Sequence, residues 1–158
     1  MKSFWIPLAL FAAAQSPAWA QRYIVSPDGT EVQDNLAGVV WRRCLEGQSF
    51  SFGQCGGTVS TFTHEAALAH AAAVAVATGQ DWRVPNVKEL GSVVNHAAIQ
   101  PAIDGVFPNV PNLKSWTSTP MRFSGGTSSA WHVEFFQGYV AGQSRLALNN
   151  IRLVRSLP

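Results

Sequence analysis

The stretch DWRVPNVKEL, residues 81–90, decides the fold that we predict for this 158-residue chain. Pro85 keeps the entry to the stretch extended, and Asn86 then stands where a helix cap belongs. Glu89 follows the cap by three positions, which makes an asparagine-led capping box. Apolar residues recur beyond the cap at helical spacing. The stretch therefore predicts a helix of roughly ten residues that ends near residues 95–96.

An alanine-rich segment lies immediately upstream and contains neither glycine nor proline over residues 61–78. Alanine has the highest intrinsic helix propensity, so we predict a helix over this segment. Thr61 or Thr63 can cap its first turn, and Gly79 stands where a helix ends. Its small side chains allow a neighbour to approach closely. We therefore expect this helix to pack against a sheet.

The rest of the chain combines strand patterns with turns. Residues 39–41 are apolar and follow a turn signal, which predicts a strand at about residues 38–44. The run 131–135 alternates apolar and polar residues and predicts a half-buried strand, a pattern that residues 151–153 repeat. Prolines and asparagines at 101–112 predict a long irregular connection before these strands.

The first twenty residues have the features of an export signal. Lys2 gives a positive start, an apolar run follows from Phe4 to Ala14, and Ala18-Trp19-Ala20 supply small residues for cleavage. The apolar run is shorter than the roughly 20 residues of a membrane-spanning helix. We therefore predict a signal peptide at residues 1–20 and a single domain at residues 21–158, with no integral membrane span after cleavage.

The charge of the chain argues against two classes of partner. The whole chain has 11 lysines and arginines and 9 acidic residues, and Lys2 would leave with the signal peptide. The mature domain is therefore close to neutral, and no strong field attracts it to nucleic acid or to anionic lipid. Any recognition of charge must depend on a local patch.

Cys44 and Cys55 are the only cysteines, and export would place both in an oxidising compartment. The two thiols could form a structural disulfide, bind a metal ion or act as a redox pair. Neither thiol belongs to a CxxC motif, and no further cysteine can complete a zinc set. We therefore predict a structural disulfide that closes a short loop rich in glycine and serine.

No pattern of catalytic or metal-binding residues is complete. His64 and Glu65 begin a segment similar to the HExxH zinc motif, but Leu68 occupies the position of its second histidine. His132 and Glu134 share one face of a predicted strand and could form an acid–base or ligand pair, although we favour a solvated polar face. GxSxG and phosphate-loop motifs do not occur. We predict no metal and no cofactor, with calcium binding by scattered Asp and Asn residues left open.

Aromatic and cationic residues give weaker signals. Of six tryptophans, Trp5 and Trp19 belong to the predicted signal peptide, and the other four lie beside predicted regular elements. We expect those four in the core, whereas an exposed one would favour stacking on a sugar. Arginine outnumbers lysine in the mature domain. Its planar fork fits sulfate, phosphate and carboxylate, although we interpret most of these arginines as ordinary surface charges.

Several of these segments follow one another in the order of a known family. The segments are 34–41 with Cys44 beyond it, 82–90, Pro101-Ala102-Ile103-Asp104, Phe107-Pro108-Asn109, Trp116-Thr117-Ser118-Thr119, Ala130-Trp131 and Ile151-Arg152-Leu153-Val154-Arg155. Together they resemble the Lcl C-terminal domain family, named for the terminal domain of a bacterial collagen-like adhesin. The resemblance covers residues 33–156.

The resemblance implies an exported bacterial domain of the α+β class with a C-type-lectin-like fold. Two helices would pack on small antiparallel sheets with long irregular loops. The adhesin domain is associated with sulfated glycosaminoglycans, while this chain has no collagen-like repeat. A more distant similarity is to the formylglycine-generating enzyme group, which has an arginine-leucine-proline segment where this chain has Arg83-Val84-Pro85. The catalytic cysteine pattern of that group is not matched, and fold transfers better than function.

Our hypothesis from the sequence is an exported, non-enzymatic binding domain for an anionic glycan or an envelope component. It would act in the periplasm, at the cell surface or outside the cell, and the sequence leaves its oligomeric state open. The alternatives are an envelope enzyme of the formylglycine-generating type, which needs a reactive free thiol, and a structural subunit of a surface assembly. Loops carry most binding functions, so we place the contact surface on two loop segments, 121–129 and 138–148. Its predicted members are Arg122, Phe123, His132 and Arg145.

Overall fold

The computed structural model describes residues 21–122 and 128–158. The predicted signal peptide at residues 1–20 and the predicted contact residue Phe123 lie outside these ranges. The described chain forms two helices, α1 (His64–Thr78) and α2 (Val87–Ser92). Its strands are β1 (Tyr23–Val25), β2 (Glu31–Asp34), β3 (Val39–Arg42), β4 (Ser49–Ser51), β5 (Gln54–Gly56), β6 (Lys114–Arg122), β7 (Ser128–Glu134), β8 (Tyr139–Ser144) and β9 (Val154–Ser156).

These strands form three small antiparallel sheets. One has the order β1-β2-β3-β9, the second is the β4-β5 hairpin, and the third has the order β6-β7-β8. The last strand therefore returns to the sheet that the first three strands begin. Two helices beside small antiparallel sheets are the α+β arrangement that we predicted. Neither helix of the described ranges combines the length and the apolar character needed to cross a membrane.

Helix α1 begins and ends at residues that the sequence singles out. Thr63 is the N-cap and its hydroxyl accepts a hydrogen bond from the backbone amide of Ala66, the third residue of the helix. Gly79 closes the helix in the left-handed conformation, with φ of 66°. Ala67 and Ala71 are buried in one cluster with Trp116 of β6. The small side chains thus allow the close approach to a sheet that we expected.

Helix α2 has the predicted capping box but is shorter than predicted. The Asn86 side chain accepts hydrogen bonds from two amides of the first turn, at 2.9 Å each. The Glu89 carboxylate accepts one from the Asn86 amide at 2.8 Å. The helix ends at Ser92: Val93 is its C-cap, and Val94 then forms an isolated β-bridge with Ile103.

The segment 151–153 is not the strand that its alternation predicts. Strand pairing begins one residue later, at Val154 of β9. All three residues of the segment are buried, including Arg152, whose guanidinium donates to the backbone carbonyls of Arg42 and Arg43. Alternation of polar and apolar residues predicts an exposed polar side only where one side of the strand meets solvent. Here protein packs against both sides of the segment. The interpretation as a surface charge is therefore wrong for Arg152, whose pKa is lowered to about 9 by burial.

Strand β7 is the central strand of its sheet and is buried on both faces. Val133 belongs to the core, as predicted. His132 and Glu134 are only 2% and 5% exposed. The rings of Trp116 and Tyr139 pack against the imidazole of His132, and the Glu134 carboxylate accepts hydrogen bonds from the backbone amides of Phe136 and Gln137. Our preferred interpretation of these two residues as a solvated polar face is therefore wrong.

The core has two parts within the described chain. One lies between the four-stranded sheet, α2 and β7, and it includes Trp41. The other lies under α1 and includes Trp82 and Trp116. These three tryptophans are buried as predicted, whereas Trp131 is half-buried. The prediction that the tryptophans of the mature domain lie in the core is therefore confirmed for three of them and wrong for Trp131.

The predicted disulfide joins Cys44 to Cys55, with 5.5 Å between their Cα atoms. It closes the loop that contains the β4-β5 hairpin. The Asn109 side chain donates a hydrogen bond of 3.2 Å to the backbone carbonyl of Cys55, so the irregular connection also holds this loop. The disulfide thus fixes the small hairpin to the end of β3.

Candidate functional site

The end of β6, the start of β7 and the end of β8 lie side by side at one end of the β6-β7-β8 sheet. Arg122, the last residue of β6, is paired with Ser128, the first residue of β7. Just beyond the end of β8, the Arg145 amide donates to the carbonyl of the same Ser128 at 3.1 Å. Paired residues project from one face, and neighbouring strands lie about 4.8 Å apart. Arg122 and Arg145 therefore flank Ser128 on one face, with Cα atoms about 10 Å apart. The structure thus brings together two of the four predicted contact residues.

A cavity of about 720 Å³ opens beside this row, and we call it the Arg145 cavity. The first turn of α1 forms one wall, and the ends of β7 and β8 form the other. Leu68 and Leu146, which are 40% and 83% exposed, supply apolar surface. Arg145 and Glu65 supply one positive and one negative charge. The cavity therefore combines a cation with surface on which an apolar group can rest.

Most of the other arginines are already engaged by the protein. Arg43 and Arg152 donate to backbone carbonyls. Four more arginines form ion pairs, which are Arg22–Asp34, Arg42–Glu46, Arg83–Glu89 and Arg155–Glu31. Over residues 21–122 and 128–158, Arg122 and Arg145 are the two arginines whose guanidinium groups have neither an ion pair nor a hydrogen bond. Among the arginines of these ranges, they are therefore the two whose charge no described residue neutralises.

His64 lies at the base of the Arg145 cavity and is only 1% exposed. Its Nε2 lies 2.9 Å from the backbone carbonyl of Thr117, which accepts the N–H of the neutral ring. Burial lowers the pKa of His64, the Thr117 carbonyl raises it, and the positive charge of Arg145 lowers it again. His70 turns elsewhere and lies 2.6 Å from the Glu46 carboxylate. The two histidine rings of α1 diverge, as predicted.

The structure removes His132 from the contact surface that we predicted. Its ring lies between the rings of Trp116 and Tyr139, and neither ring nitrogen has a polar partner among the described residues. Burial, with a smaller contribution from the charge of Lys114, lowers the pKa of His132 to about 4. At neutral pH it is an uncharged aromatic residue of the core. The prediction for Phe123 stays a prediction, because that residue lies outside the described ranges.

Metal chemistry has no visible basis in the described part of the chain. No three side chains of His, Cys, Asp or Glu come together there in a way that could hold a metal ion. Charge, a hydroxyl group and apolar surface are instead what the row and the cavity offer. Such a set can bind a ligand.

The family model for the Lcl C-terminal domain matches residues 30–155. The chain belongs to the Lcl C-terminal domain family. The match extends from the start of β2 into β9 and agrees with the range 33–156 over which the sequence shows the resemblance. No curated protein and no solved structure matches the chain.

Our sequence analysis missed several residues that complete the site of this Lcl C-terminal domain. Ser128 and Leu146 fell within the two predicted contact segments but were not named as contact residues, and Leu68 was named only in the comparison with the HExxH motif, although each lines the Arg145 cavity. The turn between β7 and β8 could have shown that Ser128 and Arg145 lie opposite each other. Once Glu134 is paired with Tyr139, antiparallel register alone places Arg145 opposite Ser128.

Proposed function

We propose that this domain is an exported, non-enzymatic binding module, and that Arg122 and Arg145 hold an anionic glycan or an anionic envelope component. The observation that carries the proposal is the row Arg122–Ser128–Arg145. It places the two unengaged guanidinium groups of the described chain on one face, beside a large cavity. The near-neutral charge of the whole domain leaves such a local patch as the means of recognising an anion.

The chemistry of arginine supports an oxyanion as the ligand. Guanidinium groups bind sulfate, carboxylate and phosphate through paired hydrogen bonds, and charged hydrogen bonds are about twice as strong as neutral ones. Two such groups on positions about 10 Å apart fit a ligand that repeats its negative charges along a chain, as a sulfated or carboxylated polysaccharide does. The Ser128 hydroxyl lies between them, and Leu68 with Leu146 offers apolar surface for sugar carbons.

The disulfide supports the exported, non-enzymatic part of the proposal. Cys44 and Cys55 are joined, and structural disulfides persist in oxidising compartments. The alternative of a formylglycine-generating type of enzyme requires a reactive thiol, which a cysteine in this bond does not provide. We also retain a C-type-lectin-like architecture as part of the proposal. Its support is the position of both helices between the first three strands and the last strand of one sheet.

Binding to heparin tests the proposal. We expect the purified mature domain to bind a short heparin oligosaccharide, and the affinity to fall as salt is raised because the charges are exposed to screening. Arg122→Ala and Arg145→Ala should each weaken binding about tenfold, the effect of losing one charged hydrogen bond. Glu65→Gln should tighten binding, since Glu65 places a negative charge in the same cavity. Isothermal titration calorimetry measures all three effects.

Lys88→Ala is the matched control for these variants. It removes the same charge from an exposed position on α2, and it should leave the affinity unchanged. Equal losses in Lys88→Ala and in Arg122→Ala would show that only net charge matters. Unchanged affinity in both arginine variants would remove the two residues from the site. The competing idea of a structural subunit predicts an oligomer whose size does not depend on concentration in size-exclusion chromatography.

A further inference from the structure

The opposite end of the same sheet face carries a second polar row. Lys114 of β6 is paired with Glu134 of β7, and Glu134 is paired with Tyr139 of β8. The three side chains therefore lie on the face that also carries Arg122 and Arg145, but at the other end of the strands. The buried rings of Trp116 and His132 separate the two ends.

A cavity of about 450 Å³ opens over this second row, and we call it the Asn cavity. Asn149 and Asn150 line it, and both are held firmly by their backbones. Asn149 exchanges two backbone hydrogen bonds with Phe62, at 2.8 and 3.0 Å. The Asn150 amide donates to Lys114, and its carbonyl accepts from Trp116. Four backbone hydrogen bonds thus fix two consecutive asparagines at the wall of the cavity.

The side chains of these asparagines have donors that the protein does not use. Asn149 and Asn150 are only 4% and 1% exposed. Each uses its side-chain oxygen, which accepts from Gln143 in one case and from Ser115 in the other. Neither side-chain nitrogen has a partner among the described residues. Asn150 is paired in parallel with Ser115, so its side chain projects to the other face of the sheet, whereas the Asn149 side chain meets Gln143 at the cavity. Buried polar groups are nearly always hydrogen-bonded, so the unpaired amide donor of Asn149 indicates a place for an external acceptor.

The charges at the Asn cavity balance each other. The Glu134 carboxylate is occupied by the backbone amides of Phe136 and Gln137, which donate to its two oxygens. The Lys114 ammonium donates to the Gln143 side chain at 3.0 Å. One engaged cation and one engaged anion leave no net charge for a ligand to neutralise. The site therefore favours a neutral ligand with several oxygen acceptors.

The rim of the cavity also offers apolar surface. Tyr139 is 40% exposed, and Leu148 is 64% exposed. A ligand that fits must therefore have acceptor oxygens on one side and carbon-bound hydrogens on the other. Sugar rings have this character, since their hydroxyl groups lie at the edge and their C–H groups can pack on an aromatic face. The cavity volume is within the range of small-molecule sites.

We propose that the Asn cavity binds a neutral saccharide unit, with the side-chain amide of Asn149 donating to one of its oxygens and Tyr139 packing against its ring. The site goes beyond the proposed function, because it recognises no charge and lies at the other end of the sheet face. The buried rings of Trp116 and His132 lie between this uncharged subsite and the row Arg122–Ser128–Arg145, so the two sites are separate.

Neutral trisaccharides test this proposal independently of the anion site. Maltotriose, cellotriose and chitotriose are the probes, and saturation-transfer NMR with titration is the measurement. We expect one of them to bind the mature domain with an affinity that does not change with salt. Tyr139→Ala should weaken that binding about tenfold, while Tyr139→Phe should retain it because the ring remains. Asn149→Leu, which has a similar shape without the amide, should also weaken it.

The double variant Arg122→Ala/Arg145→Ala separates the two proposals. It should bind the neutral trisaccharide as the unmodified domain does, even though heparin binding is lost. Binding of none of the three trisaccharides would overturn the proposal. So would binding that survives Tyr139→Ala. Because the Tyr139 ring also packs against His132, circular dichroism must first show that this variant is folded.

Discussion

Replacement of Trp116 by alanine is expected to lower the free energy of unfolding by about 4 kcal/mol, the range for large-to-small substitutions of a buried aromatic residue. Trp116 is fully buried in the cluster under α1. Its indole N–H donates to the backbone carbonyl of Phe62 at 2.8 Å, and its ring packs edge-on against His64 and His132. Alanine would leave a cavity and an unpaired carbonyl between the two sites that we propose.

Urea denaturation with the disulfide intact measures this loss. Trp131→Ala is the matched control, because the same side chain is removed from a half-buried position on the neighbouring strand. We expect the control to lose less than half as much. Trp116→Phe should lose an intermediate amount, since it keeps most of the packing and gives up the hydrogen bond. Similar losses for Trp116→Ala and Trp131→Ala would contradict the packing that we describe.

Acidification from pH 7 to pH 4 is expected to destabilise the domain by about 3 kcal/mol through His132 alone. The pKa of His132 in the folded state is about 4, against 6.5 for an ordinary histidine. Between these values the unfolded chain binds a proton that the folded chain does not bind. The stabilising effect of the neutral ring is therefore complete above pH 6.5 and is lost as the pH falls towards 4.

Thermal unfolding across this pH range, compared between variants, isolates the effect. His132→Phe should flatten the dependence of stability on pH, because phenylalanine cannot accept the proton in the unfolded state. His96→Phe is the control, since His96 is exposed, and it should keep the original slope. His64 contributes in the same direction, because its pKa is also lowered, so some slope will persist in His132→Phe. An unchanged slope in His132→Phe would show that the imidazole takes up its proton in the folded state.

Local signals in the sequence predicted the helices well. The capping box at Asn86 and Glu89 and the glycine after α1 each involve groups only a few residues apart, so composition and spacing are sufficient evidence for them. The disulfide was also predictable, because only one pair of cysteines exists. The end of α2 was not predictable, since it depends on a bridge to Ile103, which lies beyond the helix in an irregular segment.

Burial of polar residues was the main failure of the sequence analysis, and its cause is physical. His132 and Arg152 both occupy alternating patterns that predict an exposed polar face. Whether such a face meets solvent depends on what the rest of the chain places over it. Here Trp116 and Tyr139 cover His132, and the guanidinium of Arg152 finds carbonyls of a distant segment. Pattern alone carries no information about such coverage.

The candidate site shows the same division between local and distant information. Arg122 and Arg145 were named from loop composition, but only the register of three strands shows that they share a face. They differ from the other arginines of the described residues, each of which contacts an acidic side chain or a backbone carbonyl. No count of charges along the chain distinguishes an engaged arginine from an unengaged one.

Mapping of the heparin contact by NMR tests the central claim most directly. A short heparin oligosaccharide is titrated into the isotope-labelled mature domain, and shifts of backbone amides and of arginine side-chain Nε–H groups are followed. We predict the largest shifts at Arg122, Ser128 and Arg145, with smaller ones along the first turn of α1. Largest shifts on the β1-β2-β3-β9 sheet, or none at saturating oligosaccharide, would contradict the account.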